Sequence, residues 1–267
     1  MKQFFLLVIL LFFNSSHAQG IICTYELKHR PIVEKDSIIT KNYFLEINGK
    51  QSVFRSDFER KADSFKMIKG LDVGRPPLFI TELSSRKNLE KHKIDKIIMT
   101  PALRNRYFIE INENFIWKIG DQKRKIGDLN CQNAEVDYGG RSWEAWFCPD
   151  ISMQEGPYVF SGLPGLIVKI SDKNLDYDFS LIQLNRRKVS DSFIPEKGKQ
   201  ISWENFKEMF QNYFNDPFYE IKSMGLKYVI GDSEGNVLNI NPRKIIERHK
   251  ANLKKSASNP LELKMML

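Results

Sequence analysis

Gly162-Leu163-Pro164-Gly165-Leu166-Ile167 is the stretch from which the rest of the chain can be placed. It holds two glycines, a proline and three aliphatic side chains, with no nucleophile, base or metal ligand. Proline fixes φ near −65° and glycine accepts a positive φ, so residues 163–166 fit a type II turn with Gly165 at the positive-φ position. A strand over 166–170 leaves the turn, and an extended segment over 156–160 leads into it. The composition is that of a tight, buried turn between two extended segments.

Working outward, residues 165–171 and 176–184 read as a hairpin turning at Asp172-Lys173-Asn174. On the other side, 128–138 and 141–148 read as a hairpin around Gly139-Gly140. With a two-residue turn there, opposed positions sum to 279 and the period of two sorts the faces. Ala134, Val136, Tyr138, Trp143, Ala145 and Phe147 form an apolar, core-facing set. Asn133, Glu135, Asp137, Ser142, Glu144 and Trp146 form the other. Glu135 then lies opposite Glu144, a destabilising pair unless a cation, a basic neighbour or solvent compensates. Glu135, Asp137 and Glu144 are therefore the candidate ligands of a divalent cation with oxygen donors. Cys131 and Cys148 also oppose each other in this register and are the candidate disulfide, three unpaired buried thiols being the alternative.

Further out, residues 21–29 alternate as a first strand. Residues 42–47 and 50–55 flank Asn48-Gly49, the preferred type I′ pair. Residues 57–76 read as a loop or short helix ending at Gly74-Arg75-Pro76-Pro77, and 79–82 as a short strand. Residues 87–96 are very basic and expected at the surface. Residues 106–111 and 115–119 read as a hairpin around Asn112-Glu113-Asn114. After Pro195 the pattern turns helical. Ser202 is an N-cap for a helix over 203–214 whose Trp203, Phe206 and Phe210 share one face. Residues 227–230 and 237–240 suggest a short hairpin, and Pro242 opens a basic helix over 243–255.

The fold class expected is mainly β with α (α+β): a curved antiparallel sheet of hairpins packed against one or two C-terminal helices. By analogy of architecture alone, that layout is shared with periplasmic lipoprotein carriers. Residues 1–18 read as a secretory signal peptide, with Lys2, an apolar run over 4–13 and Ser16-His17-Ala18 at the cleavage site. Residues 19–267 then form a single domain, strand-rich over 21–184 and helix-containing over 202–267. No later stretch is long and apolar enough to span a bilayer. Ile21-Ile22 before Cys23 do not suit lipid attachment, so the expected product is exported to the periplasm or beyond and soluble. The net charge of +8 falls to +7 when Lys2 leaves, and the basic residues are dispersed, which argues against a nucleic-acid partner.

The sequence resembles the GLPGLI family of exported Bacteroidetes proteins. Residues 162–167 carry the family's motif. Lys125-Ile126-Gly127, Cys131-Gln132-Asn133-Ala134, Gly140-Arg141, Ala145-Trp146-Phe147, Pro149-Asp150-Ile151 and Gly156-Pro157-Tyr158 are similar to the segments that precede it. Asn259-Pro260-Leu261-Glu262-Leu263 is similar to the family's Asn-Pro-Ile-Glu-Leu ending, with leucine for isoleucine. The resemblance implies export and carries no established activity.

His29, His92 and His249 stand apart from one another, and no nucleophile elbow, phosphate loop or dinucleotide fingerprint occurs. The first function expected is therefore a non-enzymatic envelope protein without cofactor that binds a partner protein or an apolar ligand. The alternatives are a cation-binding exported protein using the acidic hairpin face, and a hydrolase using paired carboxylates.

Overall fold

The structure, a computed structural model, describes residues 20–32, 37–70, 82–112, 114–187, 198–230, 236–256 and 258–265. Alternating sequence gives three antiparallel strands first: β1 Gly20–His29, β2 Ile39–Asn48 and β3 Gln51–Ser56. The β2–β3 turn is Gly49-Lys50, with Asn48 opposite Gln51, and Gly49 carries the positive φ of 60°. The expected Asn48-Gly49 turn is thus displaced by one residue. Paired positions shift by two, so each side chain keeps its face. Residues 57–69 form a helix, α1 Asp57–Lys69. Gly74 to Pro77 lie outside the described residues, as does most of the strand expected over 79–82.

Next come β4 Ser85–Asn88, β5 Lys93–Met99 and β6 Arg106–Glu110, followed by β7 Lys118–Ile126 and β8 Leu129–Tyr138. β9 Arg141–Cys148, β10 Leu166–Asp172, β11 Tyr177–Arg187 and β12 Lys199–Gln200 complete the sheet. The twelve strands form one sheet in the order β12-β6-β5-β4-β3-β2-β1-β11-β10-β9-β8-β7. Every pairing is antiparallel except the parallel β12–β6 edge, so the sheet is mixed.

The order corrects one expected hairpin. β6 pairs with β5 and β12, whereas β7 pairs with β8 at the opposite edge. β6 and β7 are therefore joined by a crossover, not by a hairpin loop. Polar turn residues mark both kinds of connection, and local sequence does not separate them. The crossover also dictates the shape. β6 and β7 lie ten strand spacings apart, which in a flat sheet is roughly 48 Å. The chain from Glu110 to Lys118 reaches at most about 28 Å when fully extended. The sheet therefore curls back on itself, and its concave side holds one core containing Phe54, Ile98, Trp143, Phe160 and Phe179.

The helices are α2 Trp203–Asn215, α3 Tyr219–Ser223 and α4 Pro242–Ser256, with a 3-10 turn over Leu263–Met265. Ser202 caps α2 by accepting from Asn205 N at 3.2 Å, and Phe206 and Phe210 enter the core as expected. Of the hairpin expected over 227–230 and 237–240, the described residues include a backbone bond between the two arms, from Leu238 N to Ile230 O at 2.7 Å, while Ser233 to Gly235 lie outside the described residues.

Candidate functional site

The hairpin around Gly139-Gly140 matches its sequence reading. Both glycines have positive φ, and the register runs from Tyr138–Arg141 to Gln132–Phe147. The six apolar positions are buried. Glu135 faces Glu144 across one side and Lys118 across the other, and Asp137 accepts from Ser142 Oγ at 2.6 Å. Among the described residues no group of three or more His, Cys, Asp or Glu is arranged to hold a metal, so Glu135, Asp137 and Glu144 are not brought together as a cation site. The disulfide is also corrected. Cys23, Cys131 and Cys148 are buried free thiols. The ladder ends one pair short of Cys131 and Cys148, and the Cys131 thiol turns toward Leu129 O of its own strand.

The Gly162–Ile167 stretch is built differently from a type II turn. Gly165 is absent from the positive-φ residues, whereas Gly162 has φ 95°. Gly165 N donates to Leu163 O at 2.8 Å, closing a three-residue turn over Pro164. Glycine is required at 165 by contact. A Cβ there would stand 2.3 Å from Cys148 O and 2.9 Å from Pro149 N. The segment before it is not extended either. Glu155 bridges Ser161, Phe160 N donates to Pro157 O, and Tyr158 takes φ 53°. Residues 155–161 therefore form a tight loop, all of it buried, that plugs the concave side of the sheet.

Charged residues from the far strands hold this plug. Lys87 Nζ of β4 donates to Gly156 O at 2.7 Å and Phe160 O at 3.1 Å, and pairs with Glu155 at 2.6 Å. Ser85 donates to Tyr158 O. Lys96 of β5 donates to the Tyr158 hydroxyl at 2.7 Å and pairs with Glu262. This corrects the expectation that residues 87–96 are exposed, since Lys87, Asp95 and Lys96 are each 2% exposed. Burial pulls the Lys87 ammonium below its usual range, and the Glu155 carboxylate opposes that pull. Burial, reinforced by the Glu262 charge, pushes the Tyr158 hydroxyl well up, so it stays protonated and donates to Glu262.

The C-terminal segment is the second clamp. Arg141 donates to Leu261 O and Pro260 O, each at 3.0 Å, and to Asn259 Oδ1, while its Nη1 reaches Asp172 and Asp176. Tyr177 donates to Asn259 O at 2.7 Å. Glu262 accepts from Tyr138 and Tyr158, and Leu263 N donates to Gly139 O. No sequence signal short of the resemblance marks Glu262 or Asn259 as part of this network.

Beside the plug, at the end of the sheet where turns gather, lies an open cleft of about 890 Å³. Ile21, Ile47, Leu89 and Met153 give it apolar walls, and Lys50, Glu90 and His92 contribute polar groups. Pro164 and Gly165 border it, as does Glu155, whose Oε1 has no hydrogen-bond partner. A smaller apolar cavity of about 180 Å³ separates Tyr107 of β6 from Met209 and Tyr213 of α2. Of the three histidines among the described residues, His92 lines the cleft. His29 stacks on Tyr177, and His249 bonds Tyr213 O.

A family model described as "Protein of unknown function (Porph_ging)" matches residues 138–169, from the Gly139-Gly140 turn through the plug into β10. No curated protein matches. The solved structures "Structure of PNGF-II in C2 space group" and "Structure of PNGF-II in P21 space group" are similar, each with TM-score 0.51, at 15% and 14% identity. The likeness covers 73% of this chain, which spans about a third (33%) of those chains. At that identity it is a likeness of fold.

Proposed function

We propose that the protein is an exported, non-enzymatic envelope protein that holds an apolar ligand, or an apolar segment of a partner protein, in the cleft beside the Gly162–Ile167 stretch. The observation that carries this reading is the cleft itself. Its volume of about 890 Å³ lies within the range of small-molecule sites, and it sets Ile21, Ile47, Leu89 and Met153 beside the polar side chains Lys50, Glu90, His92, Ser152, Gln154 and Glu155. The plug beside it is pinned by buried ion pairs, so the cleft is preorganised and a ligand does not have to organise it. The titratable groups of the interior act as ties: Lys87, Lys96, Tyr158 and Glu262 are almost wholly covered, and each contacts another element of the fold. Export rests on the charged, apolar and small-residue order of residues 1–18.

The test is titration of the mature chain with an apolar fluorescent probe such as anilinonaphthalene sulfonate. Saturable binding to the folded chain is expected. Ser152→Trp, which places an indole at an exposed position of the cleft lining, should weaken it at least tenfold without lowering the melting temperature. Unchanged probe binding in that variant would place the ligand elsewhere.

A further inference from the structure

Among the described residues, seven of the sixteen exposed large apolar side chains fall within residues 219–240. Val229 is 75% exposed, Val237 70% and Met224 62%. Leu238 N bonds Ile230 O at 2.7 Å, which brings Val229 and Val237 close together. The segment then runs through Ile240 directly into α4, where Asn241 Oδ1 accepts from Arg243 N. A soluble domain rarely leaves so much large apolar surface in one short stretch without a partner for it.

The helix that follows is strongly cationic. α4 carries Arg243, Lys244, Arg248, Lys250, Lys254 and Lys255 against a single acid, Glu247. His249 ties its inner side to α2, bonding Tyr213 O at 2.9 Å with the two rings 4.6 Å apart. Arg243, Lys244, Arg248 and Lys254 are on the exposed side. Arg243 and Lys244 sit in the first turn, where no acid is present and the helix dipole disfavours positive charge. An opposing anionic surface removes that penalty.

We propose that the described residues of 219–230 and 236–240, together with the outward face of α4, form a docking surface for an anionic lipid membrane. Apolar side chains projecting from irregular backbone enter the headgroup boundary, and the adjoining cations neutralise lipid phosphates. A protein partner would need a complementary pocket for each projecting side chain, whereas a lipid interface needs none. The surface is distinct from the cleft and does not depend on it.

The test is co-sedimentation of the chain, after removal of residues 1–18, with vesicles of phosphatidylglycerol and phosphatidylcholine. Binding should require phosphatidylglycerol and fall steeply between 0.1 M and 0.5 M salt. Arg243→Gln/Lys244→Gln/Arg248→Gln should weaken partitioning on the order of 100-fold. Val229→Asp/Val237→Asp should abolish the salt-resistant part. A thermal melt of each variant at the wild-type midpoint excludes misfolding. Equal binding to phosphatidylcholine alone, no binding to either vesicle, or full binding by both variants would overturn the proposal. So would capture by soluble polyglutamate with none by vesicles, since the surface would then fit an acidic polypeptide.

Discussion

Gly165 lies directly against the backbone of Cys148: the Cβ that glycine lacks would stand 2.3 Å from the Cys148 carbonyl oxygen. Leu166 pairs with Cys148 in the β9–β10 ladder, so neither backbone can retreat without breaking the sheet. Gly165→Ala should therefore cost about 3 kcal/mol or more, the range of overpacking and strained substitutions. Gly162 makes a useful contrast. It has positive φ, and its added Cβ meets only Trp117 Nε1 at 3.9 Å. Gly162→Ala should cost about 1 kcal/mol. Urea denaturation of both variants tests the order, and a costlier Gly162 substitution would reverse the assignment.

The Lys87–Glu155 pair should be costly to break and cheaper to replace. Both side chains are buried, and Lys87 also satisfies two carbonyls of the plug. Lys87→Met leaves Glu155 charged and unpaired in the interior, with an expected loss of about 3–5 kcal/mol. Lys87→Met/Glu155→Gln should recover part of that loss. A single variant within 1 kcal/mol of wild type would show that the pair is not buried in solution.

Acid should weaken the fold through His29. Burial, and then the Lys41 charge, lower its pKa to about 4, while the Ile39 carbonyl works the other way. The unfolded chain, with its ordinary histidine pKa near 6.5, binds more protons than the folded one between those values. Stability is full above pH 6.5 and is lost as pH falls toward 4, on the order of 3 kcal/mol in all. His29→Phe keeps the ring over Tyr177 and should flatten the pH profile of the melting temperature in that window. An unchanged profile would assign the acid sensitivity to other groups.

All three cysteines should be recovered as thiols. Alkylation of chain unfolded without reductant should modify Cys23, Cys131 and Cys148, and a protected pair would contradict the free thiols described. In the folded chain Cys23 should be inert at pH 8. Burial, with Glu155 adding, pushes its thiol up to about 12, leaving about one thiolate in ten thousand.

What the sequence made legible was local. The Gly139-Gly140 turn fixed a register that the ladder follows, and the spacing of Phe206 and Phe210 gave the buried face of α2. Long-range pairing was hidden. Asn112 and Asn114 signal a turn whether the next strand is adjacent or at the far edge of the sheet, so the crossover to β7 read as a hairpin. Lys87 and Lys96 read as surface because their partners, Glu155 and Glu262, are remote in sequence. Gly165 looked conformational because a need for space against Cys148 leaves no pattern in the chain around it. The cleft was equally invisible, since its lining comes from separate turns that only the curled sheet collects.

The most direct test of the proposed binding role is native mass spectrometry of the chain purified from the cells that make it. A mass excess that is retained under gentle ionisation, released on denaturation and missing from Ser152→Trp is the predicted result. Bare polypeptide mass for the wild-type chain, or an excess equally present in Ser152→Trp, would contradict it.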